Sequence, residues 1–256
     1  MNYIDGYMQT IAVEHSSVKQ AKVFKIEWNM GKRCNFQCSY CDEFTSDRKS
    51  PHLSFDVAQK AIDKILSKLE DKQIKVNLTG GEPTVNPEFE KILSYMYEKN
   101  IDVGLITNGS RTLEFYKVIM PKLKSFIISY HMEYHNREVL PGKILELKKF
   151  IKDNNFDIHF HVHMMMLPTM FDEADKIVKK LKENDVNCVI RRIRPAYMKN
   201  DNAVYDKDGK LIEGEIASPH YKGPVTLKIL SNGSPDYSYD KYYSLEEKQY
   251  LSDIGV

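Results

Sequence analysis

The stretch Val23-Phe-Lys-Ile-Glu-Trp28 alternates apolar and polar residues. Directly after it comes Lys32-Arg-Cys34-Asn-Phe-Gln-Cys38-Ser-Tyr-Cys41-Asp42, which puts three of the chain's four cysteines into eight positions. The first segment reads as a β-strand with one buried face. The cysteines therefore fall on the loop at a strand's C-terminal end, where α/β folds place their chemistry. Three thiolates spaced C-x3-C-x2-C on one short loop suit an inorganic centre, and iron–sulfur clusters are held by such thiolates. A cubane of four irons takes four ligands, so three would leave one iron open, as catalytic metal sites require. Lys32 and Arg33 offset the negative charge, and Tyr40 supplies an aromatic wall. Two other readings stand beside this one. A structural zinc site would draw a fourth ligand from Cys188 or a histidine, although no second C-x2-C pair occurs; a disulfide would need an oxidising compartment. Cys188 itself lies in an apolar run and reads as a small buried hydrophobe.

Outward from this loop the chain alternates strand and helix patterns. Strands are expected at residues 23–28, 75–78, 102–106, 125–129, 158–164 and 188–193. Helical spacing joins Ala58, Ala61, Ile62, Ile65, Leu66 and Leu69, then Phe89, Ile92, Leu93 and Met96. It returns at Ile144, Leu147 and Ile151, and at Ala174, Ile177, Val178 and Leu181, with a weaker pattern over 112–123. Ser54, Asn86 and Thr169 stand at helix N-cap positions, with Pro87 at a first helical position. Strands alternating with helices at this spacing give right-handed βαβ units and a parallel sheet. The expected fold is α/β, a partial (βα)6 TIM-like barrel over residues 1–199, two units short of a full eight-stranded barrel. From about Asn200 the texture becomes polar and tyrosine-rich. A hairpin turn at Asp208-Gly209 and a capping box at Ser244-Leu-Glu-Glu247 suggest that residues 200–256 form a short Tyr-rich C-terminal cap.

Composition narrows the class of function. The 256 residues carry 37 Lys+Arg against 36 Asp+Glu, a formal net charge of +1, so no global field draws the chain to nucleic acid or to an anionic membrane. Mean hydropathy is -0.49 and no 18-residue apolar run occurs, so no spanning helix is expected. The N-terminus lacks the pattern of a targeting peptide. Four cysteines are too few for a disulfide scaffold, which points to a reduced, cytoplasmic setting.

A second stretch, Leu78-Thr-Gly80-Gly81-Glu82-Pro83, ends the second expected strand. Two glycines let backbone approach a ligand closely, and Glu82 can accept charged hydrogen bonds from an ammonium. Together with Cys34-x3-Cys38-x2-Cys41 and Tyr40, it resembles the signature of radical S-adenosylmethionine (SAM) enzymes. The resemblance covers residues 23–195. It implies a 4Fe-4S cluster on Cys34, Cys38 and Cys41, with S-adenosyl-L-methionine as the second cofactor and an electron donor of flavodoxin or ferredoxin type. It places the methionine amino group at Gly80, Gly81, Glu82 and Pro83. Softer matches are Ser129 for the ribose, with His131 its neighbour, Arg137 for the SAM carboxylate, and Asn108 in Thr107-Asn108-Gly109. Met164-Met-Met166 departs from the family's glycine-rich stretch, which leaves the adenine contacts unassigned. The tail carries no cysteine, so one cluster per chain is expected and no auxiliary-cluster extension.

His159, His161 and His163 share one face of the fifth expected strand, as a polar pocket wall, a packed hydrogen-bonded set or a metal site. Arg191, Arg192 and Arg194 form a basic cluster suited to a carboxylate or phosphate. The substrate is not named by these features. The aromatic tail favours a peptide or protein, the arginines a small anionic metabolite or nucleotide. A non-enzymatic iron–sulfur or zinc binding module is the alternative to an enzyme.

Overall fold

The computed structural model describes residues 11–15, 23–38, 41, 46–69, 72–166, 171–192, 204–205, 211–212, 225–226, 228–229 and 235–236. Tyr40, the Thr169 cap, Arg194, the capping box at Ser244 and most of the tail tyrosines lie outside the described residues, as do the side chains of Arg191 and Arg192.

The chain divides into two compact units, one of residues 1–35, 44–105 and 223–256, the other of residues 36–43 and 106–222. In the first, β1 (Ile11–His15) pairs antiparallel with β2 (Val23–Asn29), which pairs parallel with β3 (Gln73–Thr79), itself parallel to β4 (Asp102–Thr107). Helices α1 (Phe55–Lys68) and α2 (Phe89–Glu98) make the β2-to-β3 and β3-to-β4 crossovers. Phe24, Ile26 and Trp28 of β2 are buried, as are Ile74, Val76 and Leu78 of β3, while Lys25, Glu27, Lys75 and Asn77 on the alternate face are exposed. The helices supply Ala58, Ile62, Ile65, Ile92, Leu93 and Met96 to the same core. Ser54 caps α1, its hydroxyl accepting from the Val57 N–H.

In the second unit, α3 (Leu113–Ile119) precedes β5 (Ser125–His131), α4 (Val139–Asp153) precedes β6 (His159–Met166), and α5 (Phe171–Glu183) precedes β7 (Asn187–Arg192). Strands β5, β6 and β7 run parallel, with Ser129 opposite His163 and Ile127 opposite His161. Phe126, Ile128, Tyr130, Phe160, Val162 and Met164 are buried. The alternate face of β5 and β6 carries the serines and histidines. Strands β8 (Val204–Tyr205) and β9 (Leu211–Ile212) pair antiparallel; the turn expected between them at Asp208-Gly209 lies outside the described residues. Two later strands, β10 (Val225–Thr226) and β11 (Lys228–Ile229), pair with β1, and β12 (Pro235–Asp236) pairs with β11.

Two local expectations change. Strand β1 carries too little periodicity to be read from sequence; its partners are β2 and short strands more than 200 residues away. Asn86 is not the cap of α2. A 3-10 turn occupies Pro83–Val85, Asn86 ends it, and its side-chain oxygen accepts from the Glu88 N–H, so α2 opens two residues later than expected. An Asx turn thus wins over an N-cap at the same residue.

Candidate active site

In the first unit, the loop leaving β2 lies against the end of β3. Met30 donates to the Thr79 carbonyl at 2.9 Å, Gly81 to the Gly31 carbonyl at 2.8 Å, and Glu82 to the Arg33 carbonyl at 2.8 Å. This approach explains the glycine pair. Gly80 has φ +127°, and a Cβ there would sit 2.5 Å from the Gly31 oxygen; a Cβ on Gly81 would sit 2.2 Å from the Lys32 oxygen. The Gly-Gly-Glu-Pro stretch and the loop entering Cys34 are one hydrogen-bonded construction.

Cys34 is held in turn by Asp47. Its N–H donates to the Asp47 carbonyl at 2.8 Å, and the Asp47 N–H donates back to Lys32 at 2.9 Å. The Asp47 carboxylate accepts from the Lys49 and Ser50 N–H groups and from the Ser50 hydroxyl. Burial alone would raise its pKa; these hydrogen bonds and the Lys32 charge outweigh that and hold it below the usual carboxylate range. Asp47 is a positioning residue that sequence reasoning missed, since no motif links it to a cysteine thirteen residues earlier.

Glu82 is 3% exposed, and one carboxylate oxygen accepts from the Thr84 N–H at 3.0 Å and the Thr84 hydroxyl at 2.5 Å. It therefore starts the 3-10 turn, with Pro83 buried at its first position. A shallow, open cleft is lined by Met30, Gly31, Arg33, His52, Glu82 and Pro83. Burial and the Arg33 charge hold His52 below its ordinary pKa.

In the second unit, residues 36–38 meet the turn that follows β5. Phe36 stacks on Tyr134 with centroids 4.8 Å apart, and meets His131 and His135 edge-on at 6.0 and 5.1 Å. The Tyr134 hydroxyl donates to the Gln37 carbonyl. The Cys38 sulfur lies 3.5 Å from His131 Nδ1. The turn is closed by Tyr134 and His135 N–H groups, both donating to the His131 carbonyl at 3.1 Å. Burial lowers the pKa of His131 to about 4, with Glu133 opposing it, and also brings His135 to about 4 despite a hydrogen bond to the Asn108 backbone. Both rings are neutral at pH 7.

The loop after β4 belongs to the same unit. Asn108 is buried and its side-chain oxygen accepts from the Ser110 N–H at 3.0 Å. Gly109 has φ +72°, and the Lys143 ammonium donates to the Gly109 and Arg111 carbonyls at 2.7 Å each. Ser129 is half-buried on the polar face of β5. Arg137 is ion-paired with Glu173, both half-exposed. His161 and His163 meet through their Nε2 atoms at 3.0 Å. Cys188 is buried, and burial pushes its thiol up to about 11.

None of the four cysteines is in a disulfide. Among the described residues no three His, Cys, Asp or Glu side chains are gathered to hold a metal ion. Cys34 is described in the first unit, and Cys38 and Cys41 in the second, joined there by a Cys41 N–H to Cys38 carbonyl bond of 3.1 Å. The donor chemistry fits a cluster nonetheless: three unoxidised thiols, each on a hydrogen-bonded segment, one of them facing a ring nitrogen.

These features, six parallel strands alternating with helices and cysteines at the end of the first of them, define the α/β partial-barrel class. The fold is shared with SuiB of Streptococcus suis bound to S-adenosylmethionine, at a TM-score of 0.52 and 16% identity, over 73% of this chain and 46% of that one. The chain belongs to the radical SAM superfamily, whose sequence profile matches residues 28–193, more than half its length. Curated relatives match over shorter stretches. The mycofactocin maturase MftC of Mycobacterium ulcerans is 34% identical over 87 residues, 34% of this chain and 22% of the relative. An S-adenosylmethionine-dependent nucleotide dehydratase of Selenomonas ruminantium is 31% identical over 101 residues, 39% of this chain and 35% of the relative. The chain thus spans about a fifth to a third of these relatives' length. No described helix is long and apolar enough to cross a membrane.

Proposed function

We propose that the protein is a radical SAM enzyme in which Cys34, Cys38 and Cys41 hold a single 4Fe-4S cluster and the Gly80–Pro83 segment binds the methionine end of SAM. The observation that carries this reading is the construction in the first unit, where the Gly81 and Glu82 N–H groups are tied to the loop entering Cys34. When bound, the cluster supplies the electron that cleaves SAM to methionine and a 5′-deoxyadenosyl radical, which abstracts hydrogen from a substrate. The chain's own residues bind and orient. Glu82 offers a buried carboxylate to the ammonium, and Asp47 fixes the backbone at Cys34. Asn108 and Ser129 bring polar groups to strand ends, and Tyr40 serves as the aromatic neighbour of the third ligand. Arg137 serves the SAM carboxylate only by exchanging Glu173 for it. A flavodoxin- or ferredoxin-like donor in the cytoplasm supplies the reducing electron.

Fold does not name a substrate. A peptide or protein is favoured because the structural relative SuiB is known bound to the precursor peptide SuiA, at a TM-score of 0.50. The polar face of β5 and β6, with Ser129, His161 and His163, suits a hydrogen-bonding substrate. The similarity to nucleotide dehydratases over about a hundred residues supports a small anionic substrate as the second reading. The test is anaerobic reconstitution with iron and sulfide, then dithionite and SAM. Formation of 5′-deoxyadenosine supports an enzyme; bound iron or zinc without SAM cleavage supports the binding-module alternative.

A further inference from the structure

The contacts around Cys38 assign His131 a role distinct from SAM binding. Within the second unit, the turn after β5 grips residues 36–38 at three consecutive positions: Tyr134 stacks on Phe36, its hydroxyl holds the Gln37 carbonyl, and His131 Nδ1 faces the Cys38 sulfur at 3.5 Å. The edge of the His131 ring also meets Phe36, at an interplanar angle of 82°, so two partners constrain the direction in which Nδ1 points. A ring on a strand end with that much support is built into place.

We infer that His131 is a positioning residue for the cluster proposed above, donating its Nδ1–H to the Cys38 sulfur and raising the cluster's reduction potential. The inference rests on Cys38 being a ligand. A thiolate sulfur has no proton to give, so the ring nitrogen must be the donor at this contact. The reduced cluster carries one more negative charge than the oxidised one, and a donor aimed at a ligand sulfur stabilises it more. Hydrogen bonds to the sulfurs are among the factors that set cluster potentials. The contact therefore makes the proposed centre easier to reduce. It also makes the end of β5, the turn after it and residues 36–38 one electrostatic device, with Tyr134 and Phe36 holding the geometry.

The experiment is a potentiometric titration of the reconstituted full chain, followed by electron paramagnetic resonance, with iron and sulfide counted in every sample. His131→Phe keeps an aromatic ring against Phe36 and removes the donor. His131→Asn keeps an N–H near the Nδ1 position. At equal iron content His131→Phe should lower the reduced-to-oxidised ratio at a fixed potential about tenfold, a shift of roughly 59 mV to more negative potential for one electron. His131→Asn should recover most of it. An unshifted potential in His131→Phe overturns the inference, and so does a shift that His131→Asn shares in full. If His131→Phe assembles no cluster, the unmutated chain labelled with ¹⁵N-histidine decides instead. Pulsed resonance of its reduced cluster should show a weakly coupled nitrogen, and its absence overturns the inference. An unmutated chain that takes up no iron at all contradicts the proposed cluster instead, which keeps the two failures apart.

Discussion

Single residues in this chain combine structural duties with proposed functional ones, and the two can be separated by choice of substitution. Glu82 is a proposed ammonium acceptor and also the start of a 3-10 turn through Thr84. Glu82→Gln keeps the acceptor for Thr84 and removes the charge. It should weaken SAM binding tenfold or more in calorimetry of the reconstituted protein, in line with about 1.5–3 kcal/mol for a charged hydrogen bond, and leave iron content unchanged. His135 tests the neutral interior behind the cysteine loop. Its ring meets those of Tyr130 and Phe36, and His131 and Lys143 act on it electrostatically. Burial depresses its pKa from 6.5 to about 4, so in this window the unfolded chain binds a proton that the folded chain does not. Its contribution to stability is complete above pH 6.5 and is lost as pH falls toward 4. Urea midpoints measured from pH 7 to pH 4.5 should fall for the unmutated protein, and fall less for His135→Gln when each is compared with its own value at pH 7.

At the scale of elements, the glycines give the sharpest contrast. At Gly81 an added Cβ would meet the Lys32 and Arg33 carbonyl oxygens at 2.2 and 2.5 Å, both backbone and unable to swing aside. At Gly142, in α4, it would meet nothing within 4 Å. Gly81→Ala should lower the thermal midpoint and reduce iron uptake. Gly142→Ala should stabilise by about 0.5–1 kcal/mol and leave iron uptake alone. Much of this architecture is legible in sequence: six strand-like stretches locate β2 to β7 within a few residues, and in β2, β3 and β5 one buried face imposes period two. Gly-Gly-Glu-Pro is legible because close backbone approach tolerates few residue types, and the cysteine spacing stands out because the proposed thiolate ligation would too. What was not legible depends on partners distant in the chain. β1 is defined by pairing with β10 and β11, Asp47 meets Cys34 through contacts that no local spacing encodes, and the contact of His131, itself a candidate in the sequence, with Cys38 spans 93 residues. Asn86 was misread because Asx turns and N-caps use the same side-chain oxygen.

For the molecule as a whole, the proposed function requires one cluster on three cysteines and a fourth cysteine that is inert. Cys188 is buried, and its thiol is pushed up to about 11, so it should be the slowest of the four to alkylate in the native apo-protein. Iron and sulfide analysis of the fully reconstituted chain should approach four of each per monomer; eight irons would require a second ligand set. The most direct measurement compares 5′-deoxyadenosine formation by four single variants under dithionite and SAM. Cys34→Ala, Cys38→Ala and Cys41→Ala should each form none, and Cys188→Ala should retain the activity of the unmutated chain. Activity surviving the loss of any of the first three, or vanishing with Cys188, would contradict the three-ligand site.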